Sequence, residues 1–96
     1  MNEFLKSKYQ IINPQIKKLD GYINLNYKIE TNTGSFILKE FPNNKANHDF
    51  VSAENELLLF LIKNGSVSFP NPIKASEGNY INIIEERNRF SWLISW

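Results

Sequence analysis

The sequence predicts an α+β fold, in which one main helix packs on a mostly antiparallel sheet of five to six strands. Three observations lead to this prediction. Short apolar segments typical of strands occupy both halves of the chain, turn signals separate them, and a single long helical segment lies between the two groups. This order of elements is typical of domains in which a helix covers an antiparallel sheet.

The first half of the chain predicts a short helix followed by three strands. Phe4, Leu5 and Tyr9 in "NEFLKSKY" lie near helical spacing. The strand-like segments "QIKKLDGY" and "LNYKIET" meet at a turn over residues 21–24, and "NTG" is a turn signal before "SFILKEF". These segments predict a three-stranded antiparallel meander.

The second half predicts the main helix and a β-hairpin. The helix "FVSAENELLLFLIKNG" runs from about Asp49 to Lys63 and stops at Asn64-Gly65. The polar stretch "NNKANHD" before it is expected to be a capping loop, with His48 exposed to solvent. "FPNP" predicts an extended connection, because proline suits neither a helix interior nor a central strand. "NYINIIEE" and "RFSWLISW" flank the polar "ERN" and predict the hairpin.

Composition limits the classes of function. The chain has 96 residues, a formal net charge of +1 and no cysteine. The balanced charge argues against nucleic-acid and membrane partners, and the lack of cysteine excludes disulfides and thiol nucleophiles. No apolar run reaches the roughly 20 residues that span a bilayer. We expect a cytoplasmic domain over residues 1–96, cut from a longer protein because it ends within the apolar "RFSWLISW".

Lys39 is the residue whose position most needs an explanation. Strand alternation puts it on the same face as Ile37, among apolar neighbours, where an unpaired ammonium would lose several kcal/mol of solvation. With Phe50 as the centre of the apolar stripe of the helix, Glu54 falls about 40° away and Glu56 falls on the solvated face. The other members of this stripe are Ala53, Leu57, Leu58 and Leu61. We therefore predict that Glu54 points toward the sheet with its carboxylate near the Lys39 ammonium, at a gap of up to a few ångströms, and that Glu56 faces solvent.

This lysine and glutamate resemble those of the kinase small lobe, where a third-strand lysine binds the α/β-phosphates of ATP and pairs with a helix glutamate. Among kinase-like families, the chain looks most like the aminoglycoside phosphotransferase/choline kinase group, which includes homoserine and hydroxylysine kinase relatives. The stretches that carry the resemblance keep the family's order and cover most of residues 16–96. They are "LDGYINLNYKIETNTGSFILKEF", "SAENELLLFLIKNG", "FPNPIKASEGNYI" and "FSWLISW".

The resemblance implies nucleotide-binding roles for residues on the strands and the main helix. Lys39, in "FILK", matches the phosphate-binding lysine, and Glu54 matches its helix partner. Ile37 matches the side chain that packs on adenine. Ile94 and Ser95 match the end of the last strand, where the chain enters the hinge that hydrogen-bonds adenine.

The turn over residues 21–26 matches the family's nucleotide-positioning loop between the first two strands. "GYINLN" contains one glycine, in contrast to the G-x-G-x-x-G of protein kinases. Fewer backbone N–H groups can therefore approach the phosphates closely. The resemblance leaves Asn24 or Asn26 to contribute a side-chain amide in their place.

The activity that the resemblance implies is transfer of the ATP γ-phosphate to the hydroxyl of a small-molecule substrate, with ATP and Mg as cofactors. The family's catalytic aspartate and metal ligands lie in the large lobe. We therefore expect no catalytic or metal-binding residue in this chain and no activity of the 96 residues alone.

Partners and alternatives follow from the same resemblance. The substrate would bind through the large lobe. Self-association is expected through the apolar surface, including Trp92 and Trp96, that would face that lobe. Two alternatives remain open: a non-catalytic α+β binding or interaction module, and a kinase-like module heading a multidomain metabolic enzyme.

Overall fold

The computed structural model describes residues 1–20, 24–65 and 70–95. Its elements confirm the predicted α+β fold, with a short N-terminal helix and one main helix. They are the helices α1 (Asn2–Tyr9) and α2 (Lys45–Lys63), the strands β1 (Gln15–Leu19), β2 (Leu25–Thr31), β3 (Gly34–Pro42), β4 (Ile81–Ile84) and β5 (Arg89–Ser95), and a 3₁₀ turn (Glu85–Arg87).

The strands form one sheet in the order β1-β2-β3-β5-β4, and every neighbouring pair is antiparallel. The predicted meander is β1 to β3 and the predicted hairpin is β4 with β5, so both are confirmed. Helix α2 and the connection after it carry the chain from β3 to the hairpin. As a result β5, the last strand, pairs with β3 in the middle of the sheet.

The two helices cover opposite faces of the sheet. Because side chains alternate along a strand, Ile37 and Leu38 of β3 enter different cores. The α1 side buries Leu5, Ile29, Leu38 and Leu93. The α2 side buries Ile37, Phe41, Val51, Leu58, Phe90, Trp92 and Ile94. In the described part of the chain, neither helix is long and apolar enough to cross a membrane.

Helix α2 begins about one turn earlier than predicted, at Lys45 instead of Asp49. The side chain of Asn44 accepts a hydrogen bond from the backbone N–H of Asn47 at 2.8 Å, and this N-cap satisfies a donor that the first turn leaves free. The stretch "NNKANHD" therefore supplies the predicted cap, at Asn44, but its loop is shorter than predicted, because the helix already begins at Lys45.

His48 is also not the solvated loop residue that the sequence predicted. It lies on the first turn of α2 and is half-buried. Its ring centroid is 4.2 Å from that of Phe90, and its Nε2 atom shares a hydrogen bond with the Asn43 side chain. The ring contact holds the start of α2 against Phe90 of the sheet, and the hydrogen bond ties it to the segment before the helix, which gives His48 a packing role.

The face of α2 that packs on the sheet differs from the predicted one. Val51, Asn55 and Leu58 are the buried residues of the helix. Phe50 and Leu57, which were predicted to point inward, are 61% and 52% exposed. Ala53, from the same predicted stripe, is exposed as well. The helix is therefore rotated by roughly 100° from the predicted orientation, about one residue at helical spacing.

Asn55 explains why the pattern was misleading. A periodicity argument treats asparagine as polar and assigns it to solvent. In the structure its Oδ1 atom accepts a hydrogen bond of 2.9 Å from the indole N–H of Trp92. With this partner the amide can be buried at little cost, and Asn55 lies within the packed face of the helix.

Candidate functional site

A cavity of about 310 Å³ opens on the α2 side of the sheet. Its walls combine aliphatic side chains with an ammonium, a carboxylate and an amide. The lining residues are Leu19, Asp20, Asn26, Ile37, Lys39, Pro70, Ile94 and Ser95. Most of the residues that the sequence predicted for a binding site line this cavity. The exceptions are Asn24 and Glu54.

Strand register brings the lining residues together. Asn26 of β2 is paired with Leu19 of β1 on one side and with Lys39 of β3 on the other. Ile37 of β3 is paired with Ile94 of β5. Directly paired residues in antiparallel strands point to the same face with their Cβ atoms about 5 Å apart. The sheet itself therefore fixes the relative positions of these side chains.

Lys39 is half-buried in this cavity. Its Nζ atom lies 6.0 Å from the ring centroid of Trp92, at the outer limit of a cation–π contact. Within residues 1–20, 24–65 and 70–95, no carboxylate lies within ion-pair distance of it. An ammonium in such a partly apolar cavity is suited to bind an anionic ligand.

No salt bridge of 4 Å or less joins Lys39 and Glu54, two described residues, and since the prediction allows a gap of a few ångströms, their pairing stays a prediction. The rotation of α2 explains why no salt bridge forms. Asn55 and Leu58 pack toward the sheet, and Glu54 lies at the border of that face, half-buried. Glu56 is exposed.

The two asparagines after the β1–β2 turn act together. The Nδ2 atom of Asn24 donates to the Oδ1 atom of Asn26 at 2.9 Å. This bond orients the Asn26 amide through its oxygen and leaves its amide nitrogen as the donor end. Asn24 thus positions a side chain that lines the cavity without lining it itself. The rest of the predicted nucleotide-positioning turn, residues 21–23, lies outside the described residues.

Ser95 is tied to the connection that follows α2. Its backbone N–H donates to the carbonyl of Asn71 at 2.9 Å, and its hydroxyl accepts from the backbone N–H of Asn71 at 2.7 Å. These bonds hold Pro70 and the end of β5 beside each other at the mouth of the cavity.

Sequence reasoning missed Leu19, Asp20 and Pro70 as lining residues. Leu19 could have been found, because the β1–β2 hairpin pairs it with Asn26 and strand alternation then puts both on one face. Asp20 and Pro70 lie outside the strands. No periodic pattern predicts where such residues point.

Trp92 does not form the exposed surface that the sequence predicted for self-association. It is only 4% exposed, packed in the core on the α2 side. Its indole needs the hydrogen bond to Asn55, and burial under α2 supplies it. Trp96, the other tryptophan of that predicted surface, lies outside the described residues.

Neither a protein-family model nor a curated protein matches the sequence. Among solved structures, the chain is similar to the amicoumacin kinase hAmiN in complex with AMP-PNP, Ca²⁺ and Ami, with a TM-score of 0.79 at 16% sequence identity. The similarity covers 98% of this chain and 29% of that chain, so this chain spans less than a third of the kinase's length. The likeness shows that the chain has a kinase-like fold.

Proposed function

We propose that the chain is the nucleotide-binding small lobe of an ATP-dependent small-molecule kinase, whose second lobe binds the substrate hydroxyl and supplies the catalytic base. The main support is the cavity, where the ammonium of Lys39 lies beside the aliphatic Ile37 and Ile94. A nucleotide needs both kinds of surface, one for the base and one for the phosphates. The kinase-like fold, shared with a kinase solved with AMP-PNP, agrees with this reading.

The aliphatic side chains are assigned to the adenine base. Ile37, Ile94 and Leu19 line one part of the cavity and offer flat apolar surface. Ser95 is assigned to the hinge, with its carbonyl accepting from the adenine amino group. Its N–H already donates to Asn71, so the carbonyl is the group left for the base.

Lys39 and Asn26 are assigned to the phosphates. Lys39 would exchange its contact with Trp92, worth about 0.5–1 kcal/mol, for hydrogen bonds to charged oxygens, worth about 1.5–3 kcal/mol each. The exchange therefore favours the phosphate. The Asn26 amide, oriented by Asn24, adds a donor where the loop lacks the glycines of protein kinases. Glu54 becomes the partner of Lys39 once the lysine has left Trp92.

Magnesium ligands are assigned to the second lobe. In the part of the chain that the structure describes, no group of three or more acidic or histidine side chains could hold a metal ion. Asp20 is the one carboxylate among the lining residues described above, and a single carboxylate is not a magnesium site. The role proposed for this lobe is therefore to hold and orient the nucleotide.

The experiment is an NMR titration of the ¹⁵N-labelled 96-residue chain with AMP-PNP. We expect weak, millimolar binding, with shifts confined to the residues that line the cavity, and no ATP hydrolysis. Lys39→Ala should abolish these shifts, whereas Lys45→Ala, which removes an exposed lysine of α2 outside the cavity, should not.

Two results would count against the proposal. Shifts that lie away from the cavity, or that persist in Lys39→Ala, would mean that the cavity is not a nucleotide site, and a non-catalytic module would then be favoured. Micromolar affinity or ATP hydrolysis by this chain alone would instead contradict the need for a second lobe.

A further inference from the structure

The face of α2 turned away from the sheet carries a row of exposed apolar side chains. Phe50 is 61% exposed, Leu57 52% and Phe60 63%. On the same face, Ala46 lies before Phe50 and Ala53 lies between Phe50 and Leu57, and both alanines are exposed as well. These residues, Ala46, Phe50, Ala53, Leu57 and Phe60, are called the α2 seam below.

The spacing of the α2 seam is that of a coiled coil. Its members are separated by four, three, four and three residues, the 3.5-residue repeat of a and d positions. At about 100° per residue, the seam lies roughly 150° around the helix from the buried face. Isolated apolar residues on a surface are ordinary, but a continuous row with this repeat is suited to pack against another helix.

We propose that the α2 seam binds a second copy of this chain, with the two α2 helices antiparallel. In that arrangement Phe50 meets Phe60 of the second copy, and Ala53 meets Leu57 of the second copy. Each central layer then pairs one small with one large side chain. A parallel arrangement would stack Ala53 on Ala53 between layers of Phe50 and Leu57, and would leave a gap that forfeits dispersion contacts.

The charges beside the seam favour the same orientation. Asp49, Glu56 and Lys63 are exposed and spaced by seven residues along one edge of the seam. Antiparallel helices bring Asp49 next to Lys63 of the second copy. In a parallel pair each residue on this edge meets the opposite edge of the other helix, which brings Asp49 next to Glu54 of the second copy, a repulsive contact. In the antiparallel pair Glu56 faces itself on this edge and Glu54 faces itself on the other edge, both close to the two-fold axis.

The size of the seam predicts a weak and reversible dimer. Fully buried aromatic side chains remove about 150–250 Å² each, and the large seam residues are a little over half exposed, so two seams bury on the order of 600–900 Å². This is below the roughly 1,200 Å² of a stable interface. The seam is too short for an isolated coiled coil, but α2 is already held by the sheet and pays no folding cost on pairing.

Sedimentation equilibrium of the 96-residue chain, from about 10 µM to about 1 mM, tests the proposal. The mass should rise with concentration from the 11.2 kDa of one chain toward twice that value, with Kd on the order of 100 µM. Leu57→Lys should raise Kd at least tenfold, because it introduces a charge into the centre of the seam. Glu56→Gln should lower Kd, since it removes the repulsion near the axis.

Ile83→Lys is the matched control. Ile83 is 43% exposed and lies on β4, away from the seam, so the same apolar-to-lysine change there should leave Kd unaltered. Both variants alter exposed side chains and should keep the thermal midpoint of the wild type. A chain that is monomeric throughout the concentration range would overturn the proposal. So would a dimer that Ile83→Lys weakens and Leu57→Lys does not.

Introduced thiols test the orientation, since the chain has no cysteine of its own. In the antiparallel pair, residue 46 of one copy lies opposite residue 64 of the other. A mixture of the Ala46→Cys and Asn64→Cys chains should therefore form a disulfide on mild oxidation, and Ala46→Cys alone should not. A disulfide between two Ala46→Cys chains would overturn the antiparallel arrangement.

Discussion

The two faces of the sheet are packed in different ways. On the α1 side, Leu5, Ile29, Leu38 and Leu93 are completely buried. On the α2 side a cavity of about 310 Å³ interrupts the packing, and Lys39 lies half-buried within it. Cavities of about 480 Å³ and 330 Å³ also border α1, and Val51 and Phe90 on the α2 side are completely buried, so neither side is closed. The difference lies in the charge that the α2-side cavity holds, because the half-buried ammonium of Lys39 is suited to bind an anionic ligand.

Two neighbouring charges on β3 show what this difference means. Glu40 points to the α1 side and is fully buried, with its carboxylate 3.1 Å from Nη2 of Arg87 and 3.3 Å from Nε of Arg89. Arg89 also donates from Nη2 to the Glu40 carbonyl at 3.0 Å. Lys39 points the other way and meets no described carboxylate. A buried charge with two partners is a structural element, while a charge facing a cavity is a candidate for ligand binding.

The contact between Glu40 and Arg89 is an electrostatic one. The Oε1 and Nε atoms lie 3.3 Å apart, yet neither atom has a hydrogen-bond partner, because their alignment is poor. Attraction between opposite charges does not require the alignment that a hydrogen bond needs, and in a buried site solvent screens it little.

The largest expected effect is on the α1 side. Leu38→Ala should lower the free energy of unfolding by about 2–5 kcal/mol, because it leaves a cavity in a completely buried cluster. Leu57→Ala, the same substitution at a half-exposed site of α2, should cost no more than about 0.5 kcal/mol. Urea denaturation of both variants measures the difference. Equal losses would show that complete burial of Leu38 does not set the cost of the substitution.

The next effect concerns the buried charge. Glu40→Gln should lower the free energy of unfolding by about 1–3 kcal/mol, since it removes the charge that compensates the half-buried Arg89. Asp49→Asn is the control, because the Lys45–Asp49 pair is exposed and should contribute at most about 0.5 kcal/mol. The same denaturation experiment compares them. A neutral Glu40→Gln variant would contradict a structural role for this carboxylate.

On the α2 side, Lys39→Ala should affect activity and leave stability nearly unchanged. In the longer kinase that the proposed function requires, kcat/KM should fall at least about tenfold, equivalent to about 1.4 kcal/mol of transition-state stabilisation. Lys39→Arg should also impair activity, since a planar guanidinium does not replace a compact ammonium. Steady-state kinetics with Lys45→Ala as the control measure this. Full activity of a folded Lys39→Ala enzyme would refute the role of the lysine.

The smallest effect appears at alkaline pH on the α1 side. Burial raises the pKa of Tyr9, and hydrogen bonds with Asn82 and Ser91 oppose part of that rise. The folded state therefore keeps the Tyr9 proton to higher pH than the unfolded state, whose pKa is about 10. The contribution of Tyr9 to the free energy of unfolding is therefore fully present below about pH 10, and it is lost as the pH rises from there through the folded-state pKa.

The variant Tyr9→Phe shows how much of the loss of stability at alkaline pH comes from ionisation of Tyr9. At neutral pH it should cost about 0.5–1.5 kcal/mol, because the 3.1 Å bond from Asn82 Nδ2 to the Tyr9 hydroxyl is lost. Above about pH 10 its stability should fall less steeply than that of the wild type. Urea denaturation at about pH 8 and about pH 11 gives both values. Parallel losses in the two proteins would mean that Tyr9 does not titrate differently on folding.

Much of the candidate site was accessible from sequence, because it rests on strands. Alternation along β3 puts Ile37 and Lys39 on one face, and the family resemblance added Asn26, Ile94 and Ser95. The structure brings all of these to one cavity. The distance between Lys39 and Glu54, which form no salt bridge of 4 Å or less, depends on the orientation of α2, and the chain does not specify that orientation locally.

The sequence by itself determined which segments become helices and strands, since turn residues, alternation and helical spacing are local properties. It did not determine which side of α2 meets the sheet. The helix has apolar residues on two faces, one with Val51 and Leu58 and the other formed by the α2 seam. The face that is buried also contains the polar Asn55. Only the sheet decides between the two faces, because burial belongs to two surfaces together, and the indole of Trp92 supplies the hydrogen bond that lets Asn55 face inward.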